Sequence, residues 1–403
     1  MSIHSRRRSW FAAAVVTAGV AAAATFTVGN ASAGTVQAAP PVRHMCQAPA
    51  GGGISCLGLI RTDIKPVASL AANIDPSGLS PADLISAYNL PDGGEGVTVA
   101  IIDALDNPKA EADLAVYRKQ FNLPPCTTAN GCFTKLDQKG GTNYPKEDSG
   151  WAGEISLDLD MVSAVCPKCK IMLLEGDETT DFKAVGEAIN TAVAKGAKFI
   201  SNSYGDKEAA TDPETTKAYY DHPGVVQTVS SGDDGYGASY PASAPTVVAI
   251  GGTALRKGGG TRGWTETAWT GAGSGCSANG VKPTWQKDPS CAKRTVADIA
   301  AVADPATGVA TYDSYGGGWG VAGGTSASAP IVAAAWALAG APKDGDNPAS
   351  YPYAHAGSLF DVTSGSNGSC TPSGYLCKAV AGYDGPTGLG TLNGVAALKA
   401  PAA

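Results

Sequence analysis

A serine in a glycine-rich string stands just ahead of an apolar stretch. Residues 323–330 have the sequence Gly-Gly-Thr-Ser-Ala-Ser-Ala-Pro, and residues 331–340 are mostly apolar. Because proline lacks an amide hydrogen and is tolerated in a first helical turn, a helix is predicted to begin close to Ser326. The free amides at such a helix start favour a developing negative charge, so Ser326 is a candidate nucleophile for attack on a carbonyl. The string also fits a glycine turn with a Ser or Thr helix cap, and the local sequence does not decide between the two.

A serine nucleophile needs a base, and the histidines of this chain are poorly placed to provide one. His4 and His44 lie near the amino terminus, His222 precedes a proline, and His355 lies in a loop with Tyr and Pro. None follows a predicted strand in a glycine-rich context. A Ser-His-Asp triad is therefore not expected, and His222 and His355 are interpreted as surface residues.

Two carboxylates offer another base. Residues 150–165 have a helical pattern, in which Glu154 and Asp158 are one turn apart and project from the same face. Like charges at that spacing cannot easily both ionise when they are buried, so one carboxyl should hold a proton. Such a pair can accept a proton from a serine at low pH and return it to a leaving amine. Asp160 is off this face and is expected to be solvated. An ordinary acidic helix surface would also fit Glu154 and Asp158.

A third acidic candidate follows a predicted strand. Residues 230–237 have the sequence Ser-Ser-Gly-Asp-Asp-Gly-Tyr-Gly, at the carboxyl end of strand 225–230. An acid in such a string is commonly a turn former. A protonated Asp233 could instead donate a hydrogen bond to an oxyanion, which an ionised carboxylate cannot do, with the Ser326 amide as second donor. Asp233 is preferred to Asp234 for this role.

Short apolar runs and helical patterns alternate along the chain and must position these residues. Residues 97–103 form a continuous apolar run that suits a strand buried on both faces. Strands separated by helices predict an α/β fold, a parallel sheet flanked by helices on both faces, with its sites at the carboxyl ends of the strands. Further strands are predicted at 170–174, 199–204, 225–230 and 247–250, helices at 81–88, 110–121, 181–194 and 213–220, and an antiparallel ribbon at 308–315.

Composition and cysteines favour an exported protein. The 403 residues carry a net charge of −7, and the absence of a basic run beyond Arg6–Arg8 argues against nucleic acid and anionic membranes as partners. The amino terminus has the pattern of a secretory signal, formed by Arg6–Arg8, the apolar stretch 10–28 and Ala31-Ser32-Ala33. The apolar stretch would also be nearly long enough for a membrane anchor.

Ten cysteines in close pairs predict disulfides whose connectivity the spacing does not fix. The expected pairs are Cys46/Cys56, Cys126/Cys132, Cys166/Cys169, Cys276/Cys291 and Cys370/Cys377.

In combination and in this order, the motifs resemble those of the sedolisins, the serine-carboxyl peptidases related in fold to the subtilisins. The resemblance covers about residues 78–399 and lies in Gly-Thr-Ser-x-Ser-x-Pro, Gly-Glu-x-x-x-Asp and Ser-Gly-Asp. It implies a subtilisin-like sheet and a secreted, extracellular endopeptidase that hydrolyses proteins or peptides at acidic pH. By this resemblance Ser326 is the nucleophile, Glu154 the general base and acid, Asp158 its orienting partner and Asp233 the oxyanion residue.

The resemblance also implies supporting residues. Residues 99–103 look like the strand that carries the catalytic Asp of subtilisins, so Asp103 is expected to support the triad. Segments 360–365 and 381–390 look like the two halves of a structural calcium site in a C-terminal loop region. Aspartates in ordinary glycine-rich turns would fit the same segments. The implied calcium ligands are the side chains of Asp361 and Asp384 and the carbonyl oxygens of Val362, Val380 and Gly382.

The predicted organisation is a signal peptide at 1–33, an irregular N-terminal arm or short propeptide at 34–78, and a peptidase domain at 79–403 that acts as a monomer. The arm is far shorter than the family's usual propeptide, and Gly323 stands where a Ser usually precedes Gly-Thr-Ser. An inactive secreted binding protein on the same scaffold is the alternative, which the short arm favours and the intact motifs oppose. Another acyl hydrolase such as an esterase is disfavoured because no Gly-x-Ser-x-Gly motif occurs.

Overall fold

The computed structural model describes residues 39–69 and 75–401, so the predicted signal peptide lies outside the described residues. In the described ranges no helix is long and apolar enough to cross a membrane. The strands are β1 Val42–His44, β2 Ser55–Cys56, β3 Leu59–Arg61, β4 Thr98–Ala104, β5 Phe133–Asp137, β6 Lys170–Gly176, β7 Phe199–Asn202, β8 Tyr204–Lys207, β9 Val226–Ser230, β10 Ser239–Tyr240, β11 Val248–Lys257, β12 Trp264–Ala268, β13 Gly275–Cys276, β14 Thr295–Val296, β15 Ile299–Val302, β16 Val309–Asp313, β17 Gly318–Gly323, β18 Leu359–Phe360 and β19 Thr391–Leu392. The α-helices are α1 Pro81–Tyr88, α2 Ala110–Gln120, α3 Ser149–Val165, α4 Lys183–Ala194, α5 Asp212–Thr215, α6 Thr325–Ala339 and α7 Tyr351–Ala354.

The central sheet has ten strands and is mostly parallel. Its order is β18-β19-β15-β11-β9-β7-β4-β6-β5, and β12 pairs with β11 beside this path. Only β12 and β18 run antiparallel to their neighbours. In β4, residues 99–102 have no exposed surface. Because neighbouring side chains of a strand point to opposite faces, both faces of the sheet are covered here, which confirms the predicted α/β fold.

Helix α6 crosses the middle of this sheet and carries the serine string. It packs on β7, β9, β11 and β15 and against α3, while α4 packs on β4 and β6. The helix begins at Thr325, as predicted, but Pro330 lies inside it. Since Pro330 has no amide to donate, the Ser326 carbonyl lacks its helical partner one turn on. The Ser203 hydroxyl oxygen lies 3.4 Å from that carbonyl oxygen.

Most predicted elements are present with shifted ends. The predicted strand 199–204 is interrupted at Ser203 between β7 and β8, and the predicted helix 213–220 consists of α5 and a π-helical turn, Thr216–Tyr220. Five strands of the central sheet were not predicted, namely β5, β12, β15, β18 and β19. The five expected disulfide pairs are all formed.

The N-terminal arm is more regular than its composition suggested. Strand β3 joins β1 to β17 in a small antiparallel sheet with β16, and β2 pairs antiparallel with β8. Backbone hydrogen bonds therefore attach the arm to the rest of the described chain. The arm reaches the start of α6, because β3 pairs with Ala322 and Gly323 of β17.

Candidate active site

Helix α3 carries two of the candidate carboxyls into the interior. The Asp148 side chain caps its start by accepting from the amides of Gly150 and Trp151, at 2.9 and 3.0 Å. One turn into the helix, Glu154 and Asp158 have 0% exposed surface. The pair therefore lies on a buried face, and the alternative of an ordinary acidic surface is wrong.

Ser326 is the second residue of α6 and has no exposed surface. Its hydroxyl donates to the Ser203 carbonyl oxygen at 3.2 Å, and the Ser203 hydroxyl donates to Asp158 Oδ1 at 2.9 Å. The Ser326 hydroxyl also lies against the Glu154 carboxyl, where it favours the charged form. Ser203, which follows strand β7, thus links the serine and carboxyl motifs.

A third carboxyl, Asp103 near the end of β4, joins this cluster as the resemblance implied. Burial raises the pKa of Asp103 to about 8. Burial also raises the pKa of Glu154 and of Asp158 well above the usual range, and the charge of Asp103 adds to both. Both oxygens of Asp103 and of Glu154 and the Oδ2 of Asp158 lack a hydrogen bond of regular geometry. Among the described residues no Lys or Arg forms an ion pair with these three carboxyls, so the cluster favours holding protons.

Asp233 approaches the start of α6 from the loop after β9. Its Oδ1 accepts from the Thr325 amide and hydroxyl, at 2.7 and 2.8 Å. The residue as a whole is half-buried, yet its Oδ2 is buried and has no partner. Burial raises the pKa of Asp233 to about 7, so at acidic pH the free oxygen can carry a proton. This is the arrangement that a carboxylic acid needs to donate to an oxyanion.

The expectation that Asp160 is solvated is wrong. Its exposed fraction is 1%, and its Oδ2 accepts from the Thr311 hydroxyl at 3.0 Å and the Tyr312 amide at 2.8 Å. Helix α3 is surrounded by α1, α2, α6 and β16, so the face that carries Asp160 is buried as well as the face of Glu154. Asp160 therefore ties α3 to the β16–β17 ribbon.

The two aspartates of the predicted calcium site lie near each other. Burial raises the pKa of Asp384 to about 7, and the charge of Asp361 contributes. Asp384 accepts from the Val380 and Thr387 amides, and Asp361 from the Gly382 amide. Within the described residues no group of three or more His, Cys, Asp or Glu side chains could hold a metal ion. Two neighbouring carboxyls are oxygen donors of the kind that a hard cation prefers.

Sequence reasoning missed the segment that covers the site. A Cβ at Gly58 of the arm would overlap Glu154 Oε2 and stand 2.8 Å from Met45 Sδ. Its neighbour Leu57 donates its amide to the Ser203 carbonyl oxygen at 3.2 Å. Nothing in the local sequence marked Leu57 and Gly58, because only the folded chain brings the arm to the carboxyl ends of the strands.

Comparison with known proteins agrees with this geometry. The model of the subtilase family matches residues 135–351. Kumamolisin from Bacillus sp. (strain MN-32) is 31% identical over 364 residues, which cover 81% of this chain and 64% of its own length. Sedolisin from Pseudomonas sp. (strain 101) is 31% identical over 327 residues, 69% of this chain and 54% of its own length. This chain therefore spans less than two thirds of the length of these relatives.

A solved structure gives the same result for the fold. The chain of Pseudomonas sedolisin, a serine-carboxyl proteinase complexed with two molecules of pseudo-iodotyrostatin, superimposes with a TM-score of 0.65 at 26% identity. The match covers 79% of this chain and 96% of that chain. The family match spans more than half of the sequence and includes Glu154, Asp158, Asp233 and Ser326. The chain belongs to the subtilase family and is similar, within it, to kumamolisin and sedolisin.

Proposed function

We propose that this chain is a secreted endopeptidase that hydrolyses peptide bonds of proteins or peptides at acidic pH. The observation that carries the proposal is a buried serine at a helix start beside buried carboxyls to which no Lys or Arg of the described residues is paired. A His-dependent serine peptidase needs a neutral base, whereas these carboxyls accept and return protons only where some of them are protonated. Acidic pH is therefore the expected working range.

Ser326 is the proposed nucleophile. Its Oγ attacks the carbonyl carbon of the bond to be cut, and its proton passes to Glu154, whose carboxyl it already contacts. Glu154 then delivers the proton to the leaving amine. Asp158 orients and shares the proton with Glu154, and Asp103 keeps the pair from ionising together, because three close carboxyls cannot all carry charge in a buried site.

Asp233 is the proposed oxyanion donor, together with the backbone amide of Ser326. The pKa of Asp233 is raised by burial to about 7, so below that pH its Oδ2 can donate. Ionisation at higher pH removes this donor and adds a negative charge beside the oxyanion. The loss of activity towards neutral pH is thus expected from Asp233 as well as from the Glu154 pair.

Calcium is a separate proposal with a structural role. Asp361 and Asp384 would supply carboxylates, and Val362, Val380 and Gly382 would supply carbonyl oxygens. When bound, the ion neutralises the two carboxylates. These residues belong to loops of the C-terminal region and lie outside the carboxyl cluster at Ser326, so the expected effect of calcium is on stability.

Export outside the cell is supported by the signal pattern at 1–33 and by five disulfides, which persist in oxidising compartments. We propose that the exported protein is a monomer with protein or peptide substrates. The test of function uses protein recovered from the culture medium, so that recovery also tests export.

The decisive assay is hydrolysis of an unfolded protein from about pH 3 to 8, with Ser326→Ala and Glu154→Gln as variants. We expect cleavage that peaks in acid and is lost in both variants while their folding is intact. Asp177→Asn is the matched control, because Asp177 is an exposed carboxyl outside the cluster. The product termini distinguish endopeptidase from tripeptidyl-peptidase action. A folded sample that cuts neither added substrate nor itself at any pH would favour the inactive binding protein.

A further inference from the structure

We propose that a cavity walled by aromatic rings, outside the carboxyl cluster, binds proline-rich segments of the polypeptides on which this chain acts. The proposal rests on the proposed peptidase function and adds a substrate class, because the segment is held apart from the bond that is cut. The cavity, called the aromatic cavity here, has a volume of about 530 Å³. The aromatic residues that line it are Trp285, Tyr353, Tyr375 and Tyr383.

The three tyrosine rings of the aromatic cavity are fixed at their hydroxyl ends. The acceptors are Asp298 Oδ1 for Tyr353, the Ala297 carbonyl oxygen for Tyr383 and Asp288 Oδ1 for Tyr375, at 2.7, 2.9 and 2.9 Å. The rings of Tyr353 and Tyr383 lie side by side, with centroids 6.3 Å apart and planes 29° apart. All three tyrosines are half-buried, so their rings present preorganised apolar surface to a ligand.

The polar side chains of the cavity wall have no acceptor to spare. Gln286 Oε1 accepts from the Thr295 amide at 2.9 Å. Asp288 Oδ2 accepts from the Thr295 hydroxyl at 2.6 Å and from the Lys282 ammonium at 2.7 Å, while its Oδ1 holds Tyr375. A hydrogen-bond donor on a bound ligand would therefore find no free side-chain acceptor among these described residues, which is costly in a buried site.

The wall has a donor without a partner. Trp285 Nε1 is buried and has no hydrogen-bond partner, although the residue as a whole is half-buried. A buried indole N–H usually has an acceptor, and an acceptor that enters the cavity beside this ring would supply it. Lys287 is exposed at the rim and donates to the Thr284 carbonyl oxygen, so solvent satisfies its remaining hydrogens. The aromatic cavity thus suits a ligand with apolar rings and carbonyl oxygens but no donor.

A proline-rich segment has this composition. Proline has an apolar ring and a carbonyl oxygen but no amide hydrogen. In the polyproline II conformation the carbonyl groups make no internal hydrogen bonds, and little conformational entropy is lost on binding. Aromatic-lined grooves recognise such segments in other proteins. A sugar fits less well, because its hydroxyl hydrogens would be buried here without acceptors.

The aromatic cavity is connected to the active-site cleft by bonded loops. Tyr375 is followed by Leu376, whose carbonyl oxygen accepts from the Ser274 hydroxyl at 2.6 Å. The Ser274 carbonyl oxygen accepts in turn from the Gly237 amide at 2.7 Å. Gly237 belongs to the loop 231–239, which carries the proposed oxyanion residue Asp233. A long substrate that reaches Asp233 can therefore extend over this loop and place a second segment in the aromatic cavity.

The kinetic test uses two peptides with the same cleaved sequence, assayed at about pH 4. One carries a proline-rich extension and the other a Gly/Ser extension of equal length, each at either end of the cleaved sequence. Trp285→Ala should raise KM for the proline-extended peptide by about 10-fold, while kcat and the KM of the Gly/Ser peptide stay unchanged. Trp285→Phe, which keeps a ring but removes the N–H, should raise that KM by a smaller factor.

The matched control is Val281→Ala, which shortens an exposed apolar residue of the same loop outside the aromatic cavity. We expect it to leave both KM values at those of the parent. Equal KM values of the parent and Trp285→Ala for the proline-extended peptide, or an equal rise for both peptides, overturn the inference. Both results leave the peptidase function standing.

A binding test is independent of catalysis and of the folding of the Trp285 variants. It titrates an oligoproline peptide of about ten residues into Ser326→Ala, followed by calorimetry, beside a Gly/Ser peptide and maltose. We expect saturable binding of the oligoproline peptide alone, and its loss when Trp285→Ala is added. No saturation, equal binding of both peptides, or saturation by maltose alone overturns the inference. A parent that cuts no substrate overturns the peptidase function, and this titration then still decides whether the site binds proline-rich chains.

Discussion

The Asp103→Asn substitution offers a direct measure of the buried carboxyl cluster. Asp103 is fully buried, neither of its oxygens has a hydrogen-bond partner, and its pKa is raised by burial to about 8. The unfolded chain has an ordinary pKa of about 4 at this residue. Between these two values the folded state binds more protons than the unfolded state, so stability is fully present below the unfolded pKa and is lost as the pH rises through the folded one.

The size of the effect follows from that difference. Each titrating group of this kind removes about 1.4 kcal/mol of unfolding free energy per pH unit. Between pH 5 and 7 the titration of Asp103 alone lowers the unfolding free energy by roughly 3 kcal/mol. Asparagine does not titrate, so at this position it causes no such loss. Burial keeps the pKa values of Glu154 and Asp158 raised in both proteins, and the loss of the Asp103 charge lowers both values in the variant, which changes its slope in the same direction.

The assay is equilibrium denaturation at several pH values between 4 and 8, followed by tryptophan fluorescence in a Ser326→Ala background that prevents autolysis. We expect Asp103→Asn to lose markedly less stability between pH 5 and 7 than its parent, whatever its absolute stability. Asp177→Asn, at an exposed position, should keep the parental slope. Equal slopes for parent and Asp103→Asn would refute the assignment of a proton to this carboxyl.

Two further predictions concern stability. Asp298→Ala should lower the unfolding free energy by about 3–5 kcal/mol in denaturant titrations. The reason is that it leaves the fully buried Arg294 guanidinium without the Asp298 carboxylate, whose Oδ2 lies 2.6 Å from it. A loss no larger than that caused by breaking an exposed ion pair such as Lys198–Asp344 would contradict this prediction. Chelation of calcium should lower the melting temperature of the parent and leave that of Asp384→Asn unchanged, since burial raises the Asp384 pKa to about 7 and a cation offsets the two neighbouring carboxylates. A parental transition that chelation does not move would exclude the site.

Sequence patterns succeeded where the chemistry is local. Glu154 and Asp158 are four residues apart, and this spacing predicted that they share one helix face. The glycine string with Pro330 predicted a helix start beside Ser326. Close cysteine pairs predicted the disulfides, because short loops leave few geometrically open partners. In each case the residues that decide the structure lie within a few positions of one another.

Tertiary packing decided which faces are buried. Asp160 lies off the catalytic face by periodicity, yet every residue of α3 from Trp151 to Val165 is buried. A helix surrounded on all sides has no solvent face for a pattern to reveal. The same packing brings Asp103 and Asp233, from the ends of two different strands, to the helix that carries Glu154.

The sequence by itself determined most of the parallel strands and longer helices, the fold class and the motifs of the candidate site. Only the tertiary structure decided that Leu57 and Gly58 of the arm lie between Asp233 and Glu154. That placement depends on strand pairing between residues far apart in the chain, such as Cys56 with Tyr204 and Leu59 with Gly323. Backbone hydrogen bonds of this kind carry little side-chain signature, so no local pattern announces them.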